Sequence, residues 1–178
     1  MKTLAFGELP LTLELARQHL RVGDSTHDDA LILSKLEMAV AAAEDMTGRI
    51  IRERTVVFNV LLTTDDTLLV QLPAHTSRVT ELSVAGESIP EDKYTHLGSD
   101  YDDTLLVDGQ YEGKRVIVKA VVGYSQSTIP PAIKAAILLI LGTLYDNESD
   151  QIVGRAVSEL SLTAEKLLLP WRVTPYGK

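Results

Sequence analysis

The segment PPAIKAAILLILGTLYDNES, Pro130 to Ser149, limits what this chain can fold into more than any other stretch. Pro131 suits the first turn of a helix, where its missing N–H costs nothing, and Thr128 just upstream is a turn former. At about 100° per residue, Ile133, Ile137, Ile140, Leu141 and Leu144 share one stripe. The far side carries Ala135, Leu138, Leu139 and Gly142, none of them polar. A helix that is apolar all round needs cover on both sides. Each Leu left uncovered forgoes about 1.5–3 kcal/mol. The cover comes either from the chain itself or from a neighbouring subunit, and Leu138, Leu139 and Gly142 are the candidate subunit-interface residues.

DDALILSKLEMAVAAAEDMTGR, Asp28 to Arg49, poses the same question. Thr26 as N-cap with Asp29 three residues on makes a weak capping box, and Gly48 reads as the C′ stop. The rod is about 30 Å long. Ile32, Leu36, Ala39, Ala43 and Met46 share one face. Leu31 and Met38 widen it on one side, and Leu33 with Val40 on the other. Ser34, Glu37, Ala41, Glu44 and Asp45 lie opposite. That acidic stripe fits an ordinary solvated face; the sharper reading makes Glu37, Glu44 and Asp45 channel-facing. Upstream, Thr12 is a plausible N-cap for a short helix carrying Leu13, Ala16 and Leu20 at helical spacing.

Between the rods the pattern changes. TVVFNVLL, TLLVQL, VTELSVAG and RVIVKAVVGY are rich in β-branched residues and are separated by turn signals such as TTDD, GESIPED and DGQYEG. They predict a small, mostly antiparallel region of five or six strands. SLTAEKLLLPW predicts a short last helix stopped by Pro170, with Asp146 to Ser158 as a polar loop. The fold class is α+β. A helical core of two N-terminal helices, one long and one short C-terminal helix (residues 1–50 and 128–178) is interrupted by a β module (51–127).

With 45% apolar and 24% charged residues in 178, the chain has the composition of a globular protein with a real core. It has no cysteine, so neither a disulfide framework nor a thiolate metal site is available. The net charge of -8 argues against tight nucleic-acid binding, which relies on Lys and Arg displacing counterions, yet suits a passage through which DNA slides. The N-terminus carries Glu8 and Glu14 and lacks an apolar signal core. The longest strongly apolar run, Ala135 to Leu141, falls far short of the roughly 20 residues a membrane span needs.

Catalytic chemistry finds little support. His19, His27, His75 and His96 are scattered, with no zincin spacing. DYDDTLLVDGQYE has the look of a calcium loop, but Leu105 stands where glycine is needed and Tyr111 where the closing Glu belongs. GYSQS lacks the second glycine of a nucleophile elbow, and no phosphate-binding glycine motif occurs. The basic groups Arg49, Arg52, Arg54 and Lys114, Arg115 are interrupted by Glu53 and Glu112, as on ordinary salt-bridging surface.

Three stretches carry a family resemblance: LELARQHLRVGDSTHDDALI, AAAEDMTGRIIRERTVVF, and IPPAIKAAILLILGTLYDNES followed by LLLPWRV. In their order and spacing the chain resembles the head–tail connector proteins of tailed double-stranded DNA bacteriophages, also called head-completion or DNA-packaging adaptor proteins. The resemblance implies a structural, non-enzymatic virion protein with no cofactor, no metal and no catalytic residue. It implies a ring of roughly twelve copies stacked below the portal protein. That ring extends the DNA channel without binding DNA tightly, and offers a docking surface to the next neck, stopper or tail protein. Assembly would occur in the bacterial host cytoplasm, away from membranes. Trp171, Arg172 and Tyr176, on a tail expected to be mobile in the free subunit, are the candidate portal or neck docking residues. The rival readings are another neck or tail-completion protein, which would be mostly β, and a small hydrolase or nucleotide-binding enzyme with an acidic site in the β module.

Overall fold

The computed structural model describes residues 1–23, 26–62, 69–73, 75–98, 103–147 and 163–173. The fold is α+β, and the chain divides into two compact units: Met1–Glu8 with Arg52–Tyr124, and Leu9–Ile51 with Ser125–Lys178.

The first unit holds β1 (Lys2–Phe6), β2 (Arg54–Leu61), β3 (Leu69–Leu72), β4 (Thr76–Val84), β5 (Glu87–Ser88), β6 (Tyr94–Gly98), β7 (Asp103–Val107) and β8 (Arg115–Val122). They form a five-stranded sheet, β1-β2-β8-β4-β5, and a three-stranded sheet, β3-β7-β6. All the strand pairings are antiparallel. On β8 the period of two is plain: Val116, Val118, Ala120 and Val122 are buried, while Arg115 and Ile117 are exposed. The register sets Val56 opposite Ala120 and Leu82 opposite Val118, closing the inner face. Val70, Leu72, Leu105 and Val107 supply the core of the smaller sheet.

This is more strand than the five or six expected. β1 escapes the sequence pattern because its side chains are nearly all exposed, so it shows no alternation. It lies within residues 1–50 yet pairs with β2, so the sheet draws on residues the sequence pattern assigns to the helical core. β6 and β7 are hidden because acidic residues around Asp103 read as a turn.

Gly123, with φ +94°, follows β8 where Arg52 and Tyr124 form an isolated bridge. A Cβ there would sit 2.8 Å from the Arg52 carbonyl oxygen, so only glycine fits.

The second unit holds α1 (Leu13–Leu20), α2 (Asp29–Thr47), α3 (Pro131–Asp146), a short α4 (163–168) and a 3₁₀ turn, Leu169–Trp171. Thr12 caps α1 by accepting the Leu15 N–H at 3.2 Å. Asp28 rather than Thr26 occupies the N-cap position of α2, without a side-chain cap bond. Gly48 ends α2 in the left-handed region at φ 67°, its N–H donating to Glu44 O. The core is Ile32, Leu36, Ala39, Val40 and Ala43 of α2 against Ile133, Ala136, Ile137 and Leu141 of α3, joined by Ala16, Ala164 and Leu168. No helix of the described residues is long and apolar enough to cross a membrane.

Candidate functional site

The ends of α2 are where the sequence motifs meet. At its start, Asp29 pairs with Arg17 of α1 at 2.6 Å. The Tyr145 hydroxyl donates to Asp28 Oδ2 at 3.1 Å, and Lys35 Nζ donates to the Leu144 carbonyl at the end of α3. The Asp-Asp helix start and the Tyr near the end of α3 are thus one knot holding α1, α2 and α3 in register. A lysine on the last carbonyls of α3 also suits that helix's dipole.

At the C-terminal end of α2, orphan carbonyls are taken up by the chain's own tail. Val173 N–H donates to Thr47 O and Arg172 Nε to Met46 O, each at 2.8 Å. Arg49, only 3% exposed, donates from Nε to the Trp171 carbonyl. Its guanidinium lies 5.8 Å from the Trp171 ring centroid. Thr47 Oγ1 donates to Ala43 O and accepts the Arg49 N–H. MTGR and LPWRV, far apart in sequence, form a single clasp. The expectation of a free tail from Trp171 onward is therefore corrected through Val173: those residues are engaged because the end of α2 needs donors. Trp171 is half-buried and Arg172 exposed, while Tyr176 lies outside the described residues.

Of the acidic stripe, Glu37 and Asp45 are exposed, but Glu44 is half-buried and its Oε1 accepts the Ile51 N–H at 2.7 Å. Leu138, Leu139 and Gly142 are all half-buried. A Cβ on Gly142 would meet His19 of α1 at 3.6 Å, so the chain's own short helix covers that position. No large apolar side chain of α3 is left exposed. The exposed apolar side chains of the rods are instead Leu31, Leu33 and Met38 of α2. On the sheet unit, Leu61 and Ile117 stand out beside Arg115. The signal for that second patch is present in RVIVKAVV, which is apolar at Ile117 on a face otherwise marked by Arg115 and Lys119.

Chemistry-bearing groups are turned to structure. Asp103, 2% exposed, accepts the Thr76 N–H at 2.8 Å and meets His96 Nε2 at 3.1 Å, tying the small sheet to β4. Thr76 Oγ1 donates to Pro73 O, so the trio has no activated nucleophile. His75 stacks on Tyr124 at 3.9 Å between centroids. Among the described residues no group of three or more His, Asp or Glu is placed to hold a metal ion. Arg49 is drawn into the clasp, whereas Arg52 and Arg54 flank the Phe6 ring at 5.2 and 5.0 Å. An open cleft of about 690 Å³ lies against the outer sheet face; Glu87 is the one carboxylate in its lining, opposed by Lys114 and Arg115.

Residues 10–92 match the sequence family described as "Phage gp6-like head-tail connector protein". The whole fold is similar to that of a chain from the neck of an empty gene transfer agent (GTA) particle computed with C6 symmetry, with TM-score 0.73, 23% identity, and 99% of this chain and 98% of that one covered. A chain of the native GTA virion superposes with TM-score 0.72 at 21% identity, covering 99% and 96%. One from the native GTA neck computed with C12 symmetry gives 0.70 at 20% identity, covering 99% and 98%. No curated relative matches the chain in sequence.

Proposed function

We propose, from the match of residues 10–92 to the family described as "Phage gp6-like head-tail connector protein", that the chain forms the adaptor ring of a phage-like neck. Copies of it stack below the portal, extend the DNA channel, and present a docking surface to the next neck or tail component. The role is structural rather than enzymatic, and the protein resides in the virion. The observation that carries this reading is the end-to-end fold match with chains of GTA necks, one of them computed with C12 symmetry. A closed ring lets a heterologous contact repeat without leaving an open end. Long α2 and α3 speak against a mostly-β stopper.

In this reading the helices of 1–50 and 128–178 are the connector core and 51–127 the inserted β module, with β1 recruited to it. The knot at Asp28 and Asp29 and the clasp at Arg49 keep α2 rigid, so that its outward face keeps one geometry from copy to copy. Glu37 and Asp45 are outward charges of that face, and a ring gives them two candidate neighbours: DNA phosphate or the next copy. Leu138 and Leu139, only partly covered, flank the copy-to-copy contact. Trp171 and Arg172, held in the clasp, are docking residues in this reading, together with Tyr176. Co-sedimentation with purified portal rings tests the reading. Saturable binding at a fixed number of copies per ring is expected; no binding to any portal from a genome encoding this chain would refute it.

A further inference from the structure

We propose that the outward face of α2 in one copy packs on the outer face of the five-stranded sheet in the next copy. This rests on the connector reading and names the contact that closes the ring. Among the described residues, exposed apolar side chains also occur on β1 at Leu4 and Phe6 and on the smaller sheet at Leu69, Leu97 and Leu106, but α2 and the outer β2–β8 face carry charges of opposite sign. On α2, Leu31, Met38 and Asp45 recur at steps of seven, with Glu37 beside them, and Met38 is 54% exposed. On the sheet, register sets Leu61 opposite Arg115, Asn59 opposite Ile117 and Val57 opposite Lys119. These residues point away from the buried Val116, Val118 and Ala120. Leu61 is 54% and Ile117 38% exposed. Glu81, in register with Lys119, offsets part of the positive charge, and Arg78 on the same face adds to it. The cleft beside Ile117, with Val84 and Ile89 in its lining and Lys114 at hand, gives an apolar ridge somewhere to seat.

Complementarity selects the pairing. Joining α2 to α2 of another copy sets Glu37 and Asp45 against their own kind. Joining sheet to sheet does the same to Arg115 and Lys119. Joining α2 to the sheet brings opposite charges around two apolar patches, and a contact between different surfaces is the heterologous kind that generates rings. The same comparison decides between DNA and protein as neighbour of the acidic face. A wall that faces DNA gains nothing from an exposed Met38 and Leu31, whereas a protein contact gains from both.

The absence of cysteine makes the test clean. Met38→Cys and Ile117→Cys are made singly, both at exposed positions, and mixed in equal amounts at high concentration with a short bismaleimide, whose reach avoids the strict geometry of a disulfide. The crosslink joining one variant to the other is expected to exceed both homodimers, and a chain carrying both substitutions to yield a ladder. Homodimers in excess, a statistical mixture or no mixed product would overturn the proposal. Glu37→Lys with Asp45→Lys should lower the mixed product about fivefold, and Arg115→Glu with Lys119→Glu in the partner should restore it; no restoration counts against the pairing. If the mixed product is missing while the wild-type chain still forms rings on portal assemblies, the interface assignment falls and the connector reading stands. If rings never form, both fall.

Discussion

Truncation after Pro170 removes the clasp on α2, and its cost can be worked from the structure. Val173 N–H and Arg172 Nε leave Thr47 O and Met46 O, both at 2.8 Å in the intact chain. Each such bond contributes about 0.5–1.5 kcal/mol net. Arg49, buried to 3% exposure, loses the Trp171 carbonyl, and a charged donor losing an acceptor costs about 1.5–3 kcal/mol. Water can reach the freed helix carbonyls, which places the total in the lower part of the range, about 3 kcal/mol. For a chain of this size that lowers Tm by about 6–12 °C. Calorimetry of the full chain, of the truncation after Pro170 and of a chain ending at Val173 reads it directly. The chain ending at Val173 keeps all three bonds and should melt like the full chain. A truncation after Pro170 that melts within about 2 °C of the full chain would refute the clasp.

Four further outcomes follow from the geometry. Thr12→Ala removes the acceptor for Leu15 N–H and should cost about 1 kcal/mol in urea unfolding, with α1 fraying first by hydrogen exchange. Gly123→Ala meets the Arg52 carbonyl oxygen at 2.8 Å in a left-handed conformation and should cost more than about 2 kcal/mol, read as a loss of soluble folded protein or a lower urea midpoint. Asp103→Ala leaves the Thr76 N–H without its acceptor and should cost about 1–3 kcal/mol, with faster exchange at Thr76 and along β6 and β7. The Asp108 carboxyl is held below the usual carboxylate range, chiefly by the Gln110 N–H and then by Lys93. Its folded value is the lower one, so its small contribution is present above the ordinary range and is lost as pH falls through the folded value. Asp108→Asn should flatten that part of the acid-unfolding curve.

Local periodicity makes the helices and the main strands legible. The face Ile32, Leu36, Ala39 and Ala43 is buried as the helical wheel requires, and Thr12, Gly48 and Pro131 sit at the helix ends their chemistry favours. What pairs across long stretches of chain is not legible. Nothing local to Trp171 says that its carbonyl receives Arg49, and nothing local to Glu44 says that it turns back to Ile51 rather than outward. β1 has no buried side to announce it. The apolar excess is visible in the sequence, but its place is not: α3, the greasier rod, keeps Leu138 and Leu139 half-buried, while the exposed large apolar side chains of the rods are on α2 and those of the sheets include Leu61 and Ile117. Hydropathy alone cannot tell which of two apolar rods lies deeper, because that depends on which partner each one finds.

Whether this chain is a ring-forming neck adaptor is decided by cryo-electron microscopy of the wild-type protein added to portal rings encoded in the same genome. A closed ring on the portal is expected, its copies joined by α2 of one to the β2–β8 face of the next. Portal rings left bare, with the protein remaining monomeric beside them, would contradict it.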